Sequence, residues 1–297
     1  MTRARATLFA LIGATLTACV VAANSVVPGK WPWIAAAAGL LAIVAGLWVL
    51  SLRLWQLSAD LTDTTQASSR AVASELHSMQ VILNRFPECS LATSGYSMTF
   101  ANLHVLMELL DETEPNTVVE FGSGLSTVLV AAWMKRRGRG LLRSFDHDSR
   151  WADKTSRHLA KHGLDRHCQV SCVPLSTITV QGHTVDWYDL PRDVQELSGI
   201  DLVIVDGPPS HEQAMARLPA LFALEARLAD ECCVLLDDAM RREEAAVAAI
   251  WGQHLRWSES YTIAGATGLA VFRRRVTSGG TAADAILPPP NREPTSV

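Results

Sequence analysis

No charged residue stands between Ala6 and Val27, and none between Trp31 and Leu52. Each run therefore reaches the roughly 20 apolar residues that carry a helix across a bilayer core. Excess positive charge is missing as well. Lys and Arg number 26 against 30 Asp and Glu, a formal net charge of -4 that gives no reason to expect nucleic acid as a partner. The six cysteines show no metal-ligand spacing, which removes a thiolate-built zinc site. Adjacent Cys232 and Cys233 lie in an apolar run and read as core thiols, as suits a reducing cytosol. No internal repeat is present beyond the two apolar runs, and that excludes a solenoid.

What is present at the front reads as a transmembrane hairpin over residues 1–54. Pro28-Gly29 marks the turn between the spans. Trp31, Trp33, Trp48 and Trp55 sit towards the ends of the second span, where aromatic rings favour the headgroup zone. Arg3 and Arg5 precede the first span and Arg53 follows the second, so the positive-inside bias places both ends in the cytoplasm. The expected location is the inner cell membrane, two-pass, with the body of the chain cytoplasmic. Leu16-Thr17-Ala18-Cys19 resembles a bacterial lipoprotein cleavage box, but such a quartet arises easily inside an apolar helix, and a second span follows directly.

Residues 55–90 are rich in Ser, Thr and Ala, with apolar positions at Leu57, Leu61, Val72, Leu76, Met79 and Ile82. This pattern fits a juxtamembrane helical linker able to pair with a second copy of itself. Beyond it strands and helices alternate. Strands are expected at Thr117–Phe121, Leu141–Asp146, Gln169–Val173, Asp201–Asp206, Cys232–Leu236, Arg256–Thr262 and Leu269–Arg273. Helices are expected at Thr99–Leu110, Ser126–Arg137, Arg150–His162, Gln213–Ala229 and Arg241–Trp251. Apolar strands separated by amphipathic helices make an α/β fold, a mostly parallel sheet covered on both faces. Thr177–Val180 and His183–Tyr188 flank Gln181-Gly182 and read as an inserted hairpin. The tail 276–297, rich in Gly and Pro, reads as disordered.

In an open α/β sheet ligands bind beyond the carboxyl ends of the strands. The first strand ends in Glu120 and a turn with Gly122, Ser123 and Gly124, where missing Cβ atoms allow close approach. The second ends in Asp146-His147-Asp148, the fourth in Asp206-Gly207-Pro208-Pro209, the fifth in Asp237-Asp238. A carboxylate gains nothing from burial unless it meets a donor or a cation, so acids at four strand ends point to a site. Asp148 alone has a simpler reading, as the cap of the next helix.

Val119-Glu120-Phe121-Gly122-Ser123-Gly124-Leu125-Ser126-Thr127, with Ser144-Phe145-Asp146-His147-Asp148 and Asp201-Leu202-Val203-Ile204-Val205-Asp206-Gly207-Pro208-Pro209 at matching spacing, resembles the class I S-adenosylmethionine-dependent methyltransferases. The resemblance covers roughly Pro115 to Arg274. It implies a methyltransferase domain over 91–275 with a Rossmann-like seven-stranded sheet of order 3-2-1-4-5-7-6, the seventh strand antiparallel. It also implies S-adenosylmethionine as cofactor. Glu120, Gly122, Ser123 and Gly124 would hold its methionine end and Asp146 its ribose hydroxyls. Val173 and Asp206 would lie alongside, Val173 near the adenine, and His147 reads either as a neighbour of the adenine or as a merely exposed residue.

The catechol O-methyltransferase branch holds Mg²⁺ with acids ending strands four and five, and Asp206, Asp237 and Asp238 stand at matching places. The resemblance thus implies an optional Mg²⁺ that lowers the pKa of an acceptor hydroxyl. The branch's lysine, three residues past the aspartate, is replaced here by Pro209. His211 is the nearest substitute, so Asp206 and His211 are the catalytic candidates. Asp238 has a second reading, as the cap of the helix near Arg241. The acceptor expected for a tethered enzyme is a small or membrane-associated molecule, methylated on oxygen. The basic cluster Lys135-Arg136-Arg137-Gly138-Arg139 reads either as an anionic-lipid contact or as a solvated helix end. Two other functions remain open. One is a nicotinamide-dependent oxidoreductase, although Thr127 stands where the dinucleotide fingerprint has its third glycine. The other is a non-catalytic membrane-anchored scaffold.

Overall fold

A computed structural model describes residues 31–90, 97–195, 197–209 and 213–275. The first apolar run, Cys19, His211 and the tail lie outside these residues. The chain divides into two compact units that part between Arg70 and Ala71.

In the first unit the described residues belong to helix α1 (Trp31–Arg85). Ile43, Leu47, Trp48 and Trp55 on it are exposed. Among the described residues this is the one helix long and apolar enough, by length and composition, to cross a membrane. The hydroxyls of the Ser/Thr-rich stretch are satisfied within the helix by bonding back to carbonyls one turn earlier. Thr62 donates to the Ser58 carbonyl at 2.8 Å and Thr65 to that of Leu61 at 2.7 Å.

The second unit begins with the last turns of α1. Ile82 and the following Phe86 are fully buried, and the Arg136 guanidinium lies 4.3 Å from the Phe86 ring centroid. Helix α2 (Phe100–Thr113) starts at Thr99, whose hydroxyl accepts from the Asn102 amide. The N–H groups of Phe100 and Ala101 go instead to the Glu75 carboxylate, at 2.6 and 2.9 Å. A negative group at a helix N-terminus satisfies orphan donors and meets the helix dipole. Glu75→Gln should therefore lower stability by about 1 kcal/mol, measured by urea unfolding of the full chain in detergent.

The main sheet contains β1 (Thr117–Phe121), β2 (Leu141–Asp146), β3 (Cys168–Cys172), β6 (Ile200–Val205), β7 (Leu228–Asp237), β8 (Glu259–Ile263) and β9 (Leu269–Arg275). Its order is β3-β2-β1-β6-β7-β9-β8. Strands β1, β2, β3, β6 and β7 pair in parallel, and β9 is antiparallel to both neighbours. The remaining strands, β4 (Leu175–Val180) and β5 (His183–Tyr188), form a separate hairpin. With that hairpin set aside as an insertion, the order is 3-2-1-4-5-7-6, as the resemblance implies. Gln181 and Gly182 both have positive φ, 53° and 79°, as a two-residue hairpin turn requires.

Alternation along the strands serves two cores. Val118, Leu202, Ile204, Cys233 and Leu235 face α2 and α3 (Leu125–Arg137). Val119, Phe121, Val203, Val205, Val234 and Leu236 face the hairpin and the last helix, which runs from Arg242 to His254. Burial holds the thiols of Cys89 and Cys233 protonated, pushed up to about 12.

Two expectations need correction. The helix expected over Gln213–Ala229 is confined to Pro219–Leu224, because Met215 takes a left-handed backbone, φ 58°, and Pro219 can only begin a helix. The basic cluster makes ion pairs and a hydrogen bond within the chain. Arg136 meets Glu88, Arg137 and Arg139 meet Glu114, and Lys135 donates to the His162 carbonyl. Asp238 does not cap the last helix: position 241 is its N-cap, with no side-chain cap bond. Asp148 does cap the helix Ser149–Lys161, accepting from the Arg150 amide at 2.8 Å.

Candidate active site

The loop after β1 is held from both sides by carboxylates. Glu120 is fully buried. Its Oε2 accepts from Thr127 Oγ1 at 2.6 Å, and that hydroxyl in turn accepts the Gly124 N–H at 2.8 Å. Asp146, 5% exposed, accepts on Oδ2 both the N–H and the hydroxyl of Ser123, at 2.9 and 2.6 Å, and on Oδ1 the Asp148 N–H at 3.0 Å. Glu120 and Asp146 thus grip neighbouring residues of one loop. His147 lies beside Asp146, Nδ1 to Oδ1 3.7 Å.

The two glycines differ. Gly122 has φ 94°, and a Cβ there would stand 2.7 Å from the Asp206 carbonyl oxygen. Its missing side chain is required by the neighbouring strand end. Gly124 has an extended backbone, φ 176°, and nothing lies within 4 Å of the place where a Cβ would be. That open side, at the start of α3, is where a ligand can approach.

Burial pushes the Glu120 carboxyl up to about 7, nearby Asp146 adds to the shift, and the hydroxyls of Ser126, Thr127 and Ser144 oppose it. In an unfolded chain the same group ionises near 4.5, so the folded state holds the proton longer. The penalty then grows as pH rises from about 4.5 and levels off above about 7. Melting temperature should fall across that window, and Glu120→Gln should flatten the dependence.

Tyr188 closes the floor between the first and fourth strand ends. A Cβ on Gly207 would meet its hydroxyl at 2.5 Å, and its ring stacks on Phe121 at 5.4 Å between centroids. The Tyr188 hydroxyl and the Trp187 indole N–H are buried without hydrogen-bond partners. Val173 is buried in the same core, its N–H donating to the Asp146 carbonyl.

Asp206, Asp237 and Asp238 come together as expected, each offering an oxygen within 4.8 Å of the others. Two partners escape the sequence reading. Asn102, on α2, donates to Asp237 Oδ1 at 2.6 Å. Arg217, with a side chain 4% exposed, reaches Asp206 Oδ1 at 3.3 Å and Asp238 Oδ2 at 3.1 Å from Nη2. Its Nη1 donates to the Asp237 carbonyl at 2.9 Å and its Nε to that of Pro208 at 3.3 Å. One signal could have found it: a single arginine within Ala214-Met215-Ala216-Arg217-Leu218-Pro219-Ala220, since a buried charge must be paired. Burial, then repulsion from Asp237, raises Asp206 well above the carboxylate range despite Arg217. Asp237 rises to about 6, again through burial and then Asp238.

The donor set does not suit a resident Mg²⁺. That ion needs near-octahedral oxygens at about 2.0–2.1 Å, whereas a guanidinium nitrogen already lies between two of the three acids. Arg241 Nη1 takes Asp238 Oδ2 as well, at 2.7 Å.

Residues 119–239 match the family described as "Methyltransferase domain". Over these residues the chain is similar to that family. Its strand order and acid-lined rim are those the sequence motifs led us to expect. No curated protein sequence matches the chain. Among solved structures, an SAH-bound methyltransferase from Podospora anserina is 11% identical, over 71% of this chain and 96% of its own, with a TM-score of 0.49. A methyltransferase from Geobacter sulfurreducens is 14% identical over 68% and 89%, with a TM-score of 0.44. An O-methyltransferase from Bacillus cereus in complex with SAH is 15% identical over 68% and 91%, also at 0.44.

Proposed function

We propose that this chain is a membrane-anchored, S-adenosylmethionine-dependent methyltransferase that methylates an oxygen of a small-molecule or lipid-linked acceptor. The observation that carries the reading is the turn 122–124, fixed by Asp146 directly and by Glu120 through Thr127, and open above Gly124. Bound S-adenosylmethionine would supply an electrophilic methyl group on a sulfonium sulfur. The residues have the remaining tasks. Asp146 accepts hydroxyl hydrogen bonds of the kind a ribose presents. Gly124 and the first amides of α3 receive the polar end of the ligand. Tyr188 and Trp187 wall the cleft against water, since methyl transfer relies on orientation and exclusion of solvent. A base is needed only for an un-ionised hydroxyl, and Asp206 is the candidate only in its ionised, Arg217-paired form.

Thr127 argues against the nicotinamide alternative, because its hydroxyl is built into the loop rather than replaced by glycine. Isothermal titration of the full chain in detergent should show micromolar binding of S-adenosylhomocysteine. Binding of NADH in its place would establish an oxidoreductase, and binding of neither at millimolar concentration a scaffold. The exposed apolar side chains of α1 support the anchor. Alkaline carbonate washing should leave the chain in the membrane fraction, and labelling should place both ends in the cytoplasm; release by carbonate would refute the anchor.

A further inference from the structure

We propose that Arg217 is the resident cation of the Asp206, Asp237 and Asp238 cluster, its guanidinium standing where a divalent ion would otherwise sit, so that this domain works without a metal. The inference deepens the methyltransferase reading and rests on it only where activity is concerned.

All three guanidinium nitrogens donate hydrogen bonds. Nη2 bridges Asp206 and Asp238, Nη1 donates to the Asp237 carbonyl and Nε to that of Pro208. Glu244 Oε1 lies 3.8 Å from Nε and is itself buried without another hydrogen-bond partner. Arg217 thereby ties the loop after β6 to the end of β7, the task a bridging ion would perform. Its side chain is 4% exposed, and a buried guanidinium that lost these acceptors would have no compensation. It cannot swing aside cheaply. A cation entering the cluster would have to share two of its three ligands with a fixed positive charge little more than a hydrogen-bond length away. Asp237 and Asp238 are further committed, to Asn102 at 2.6 Å and to Arg241 at 2.7 Å. A guanidinium stays protonated and cannot activate a hydroxyl as a Lewis acid. An un-ionised acceptor must therefore surrender its proton to a group of the protein or to water. The oxygen takes the methyl group, and the sulfonium leaves as a neutral thioether.

The test is Mn²⁺ binding by electron paramagnetic resonance on the full chain in detergent. Wild-type protein should leave the free-ion signal undiminished at equimolar Mn²⁺, and stoichiometric uptake would overturn the proposal. Arg217→Met, which leaves Asp206 without its cation and Asp238 with Arg241 alone, should gain at least about tenfold in Mn²⁺ affinity, and Mg²⁺ should raise its melting temperature but not that of wild type. An Arg217→Met protein that folds yet gains no affinity overturns the proposal; if it does not fold, the wild-type titration decides alone. Methylation by wild type should be unchanged by EDTA, and loss of turnover on chelation would contradict the inference. Failure to bind S-adenosylhomocysteine would remove the methyltransferase reading and leave both Mn²⁺ arms decisive.

Discussion

Gly122→Ala is expected to unfold or severely destabilise the domain and to abolish binding of S-adenosylhomocysteine, whereas Gly124→Ala should leave the fold intact. At residue 122 two costs add. A left-handed backbone is strained by any side chain, at roughly 1–3 kcal/mol. The new Cβ would lie 2.7 Å from the Asp206 carbonyl oxygen and 2.8 Å from its carbon, an overlap that costs a further 1–3 kcal/mol or so. Neither partner can retreat. The Gly122 N–H is bonded to the Phe145 carbonyl and the Asp206 N–H to that of Phe121, both at 2.8 Å, so relief would break the parallel ladder at the rim. At residue 124 the backbone is extended and the space open. A methyl group there costs no stability but intrudes where the ligand approaches, so affinity should fall while the melting temperature holds. Calorimetry and thermal melts on both variants check the contrast. A Gly122→Ala protein that melts with wild type would show that the close approach of the two strand ends is not what requires glycine.

Much of the fold was legible because it depends on local pattern. Short strands that finish at or next to Glu120, Asp146 and Asp206 announce where the chain leaves the sheet. Gln181-Gly182 announces a two-residue turn whatever lies around it. The strand order came from the motif resemblance rather than from periodicity, since no local signal reports which strands pair. The stretch after Asp206 misled for the opposite reason: Ala214 to Leu224 has the composition of a helix, and only Met215 in a left-handed backbone and Pro219 at the helix start break it. The acid cluster was legible, and its neutralisation was not. Arg217 is 11 residues from Asp206 and 21 from Asp238, and Asn102 is 135 residues from Asp237. Pairings across such separations arise from the tertiary arrangement, and the sequence offers only the hint of a charge in an apolar run.

Asp146→Ala should weaken S-adenosylhomocysteine binding by at least about a hundredfold, close to 3 kcal/mol at 1.4 kcal/mol per decade. Hydrogen bonds to a charged acceptor are worth about 1.5–3 kcal/mol each, and two are at stake if a ribose presents both hydroxyls. The unliganded geometry adds a sharper expectation. Asp146 Oδ2 already accepts the Ser123 hydroxyl at 2.6 Å and the Ser123 N–H at 2.9 Å, so an incoming hydroxyl must displace or share with Ser123 Oγ. Ser123→Ala removes that competitor and keeps the backbone bond that shapes the loop. It should bind at least as tightly as wild type, while Asp146→Asn, which exchanges an acceptor for a donor and loses the charge, should bind more weakly than wild type. Titration calorimetry orders the three variants. If Ser123→Ala were as damaging as Asp146→Ala, the serine hydroxyl would itself be a ligand contact, and Asp146 would serve the loop rather than the nucleoside.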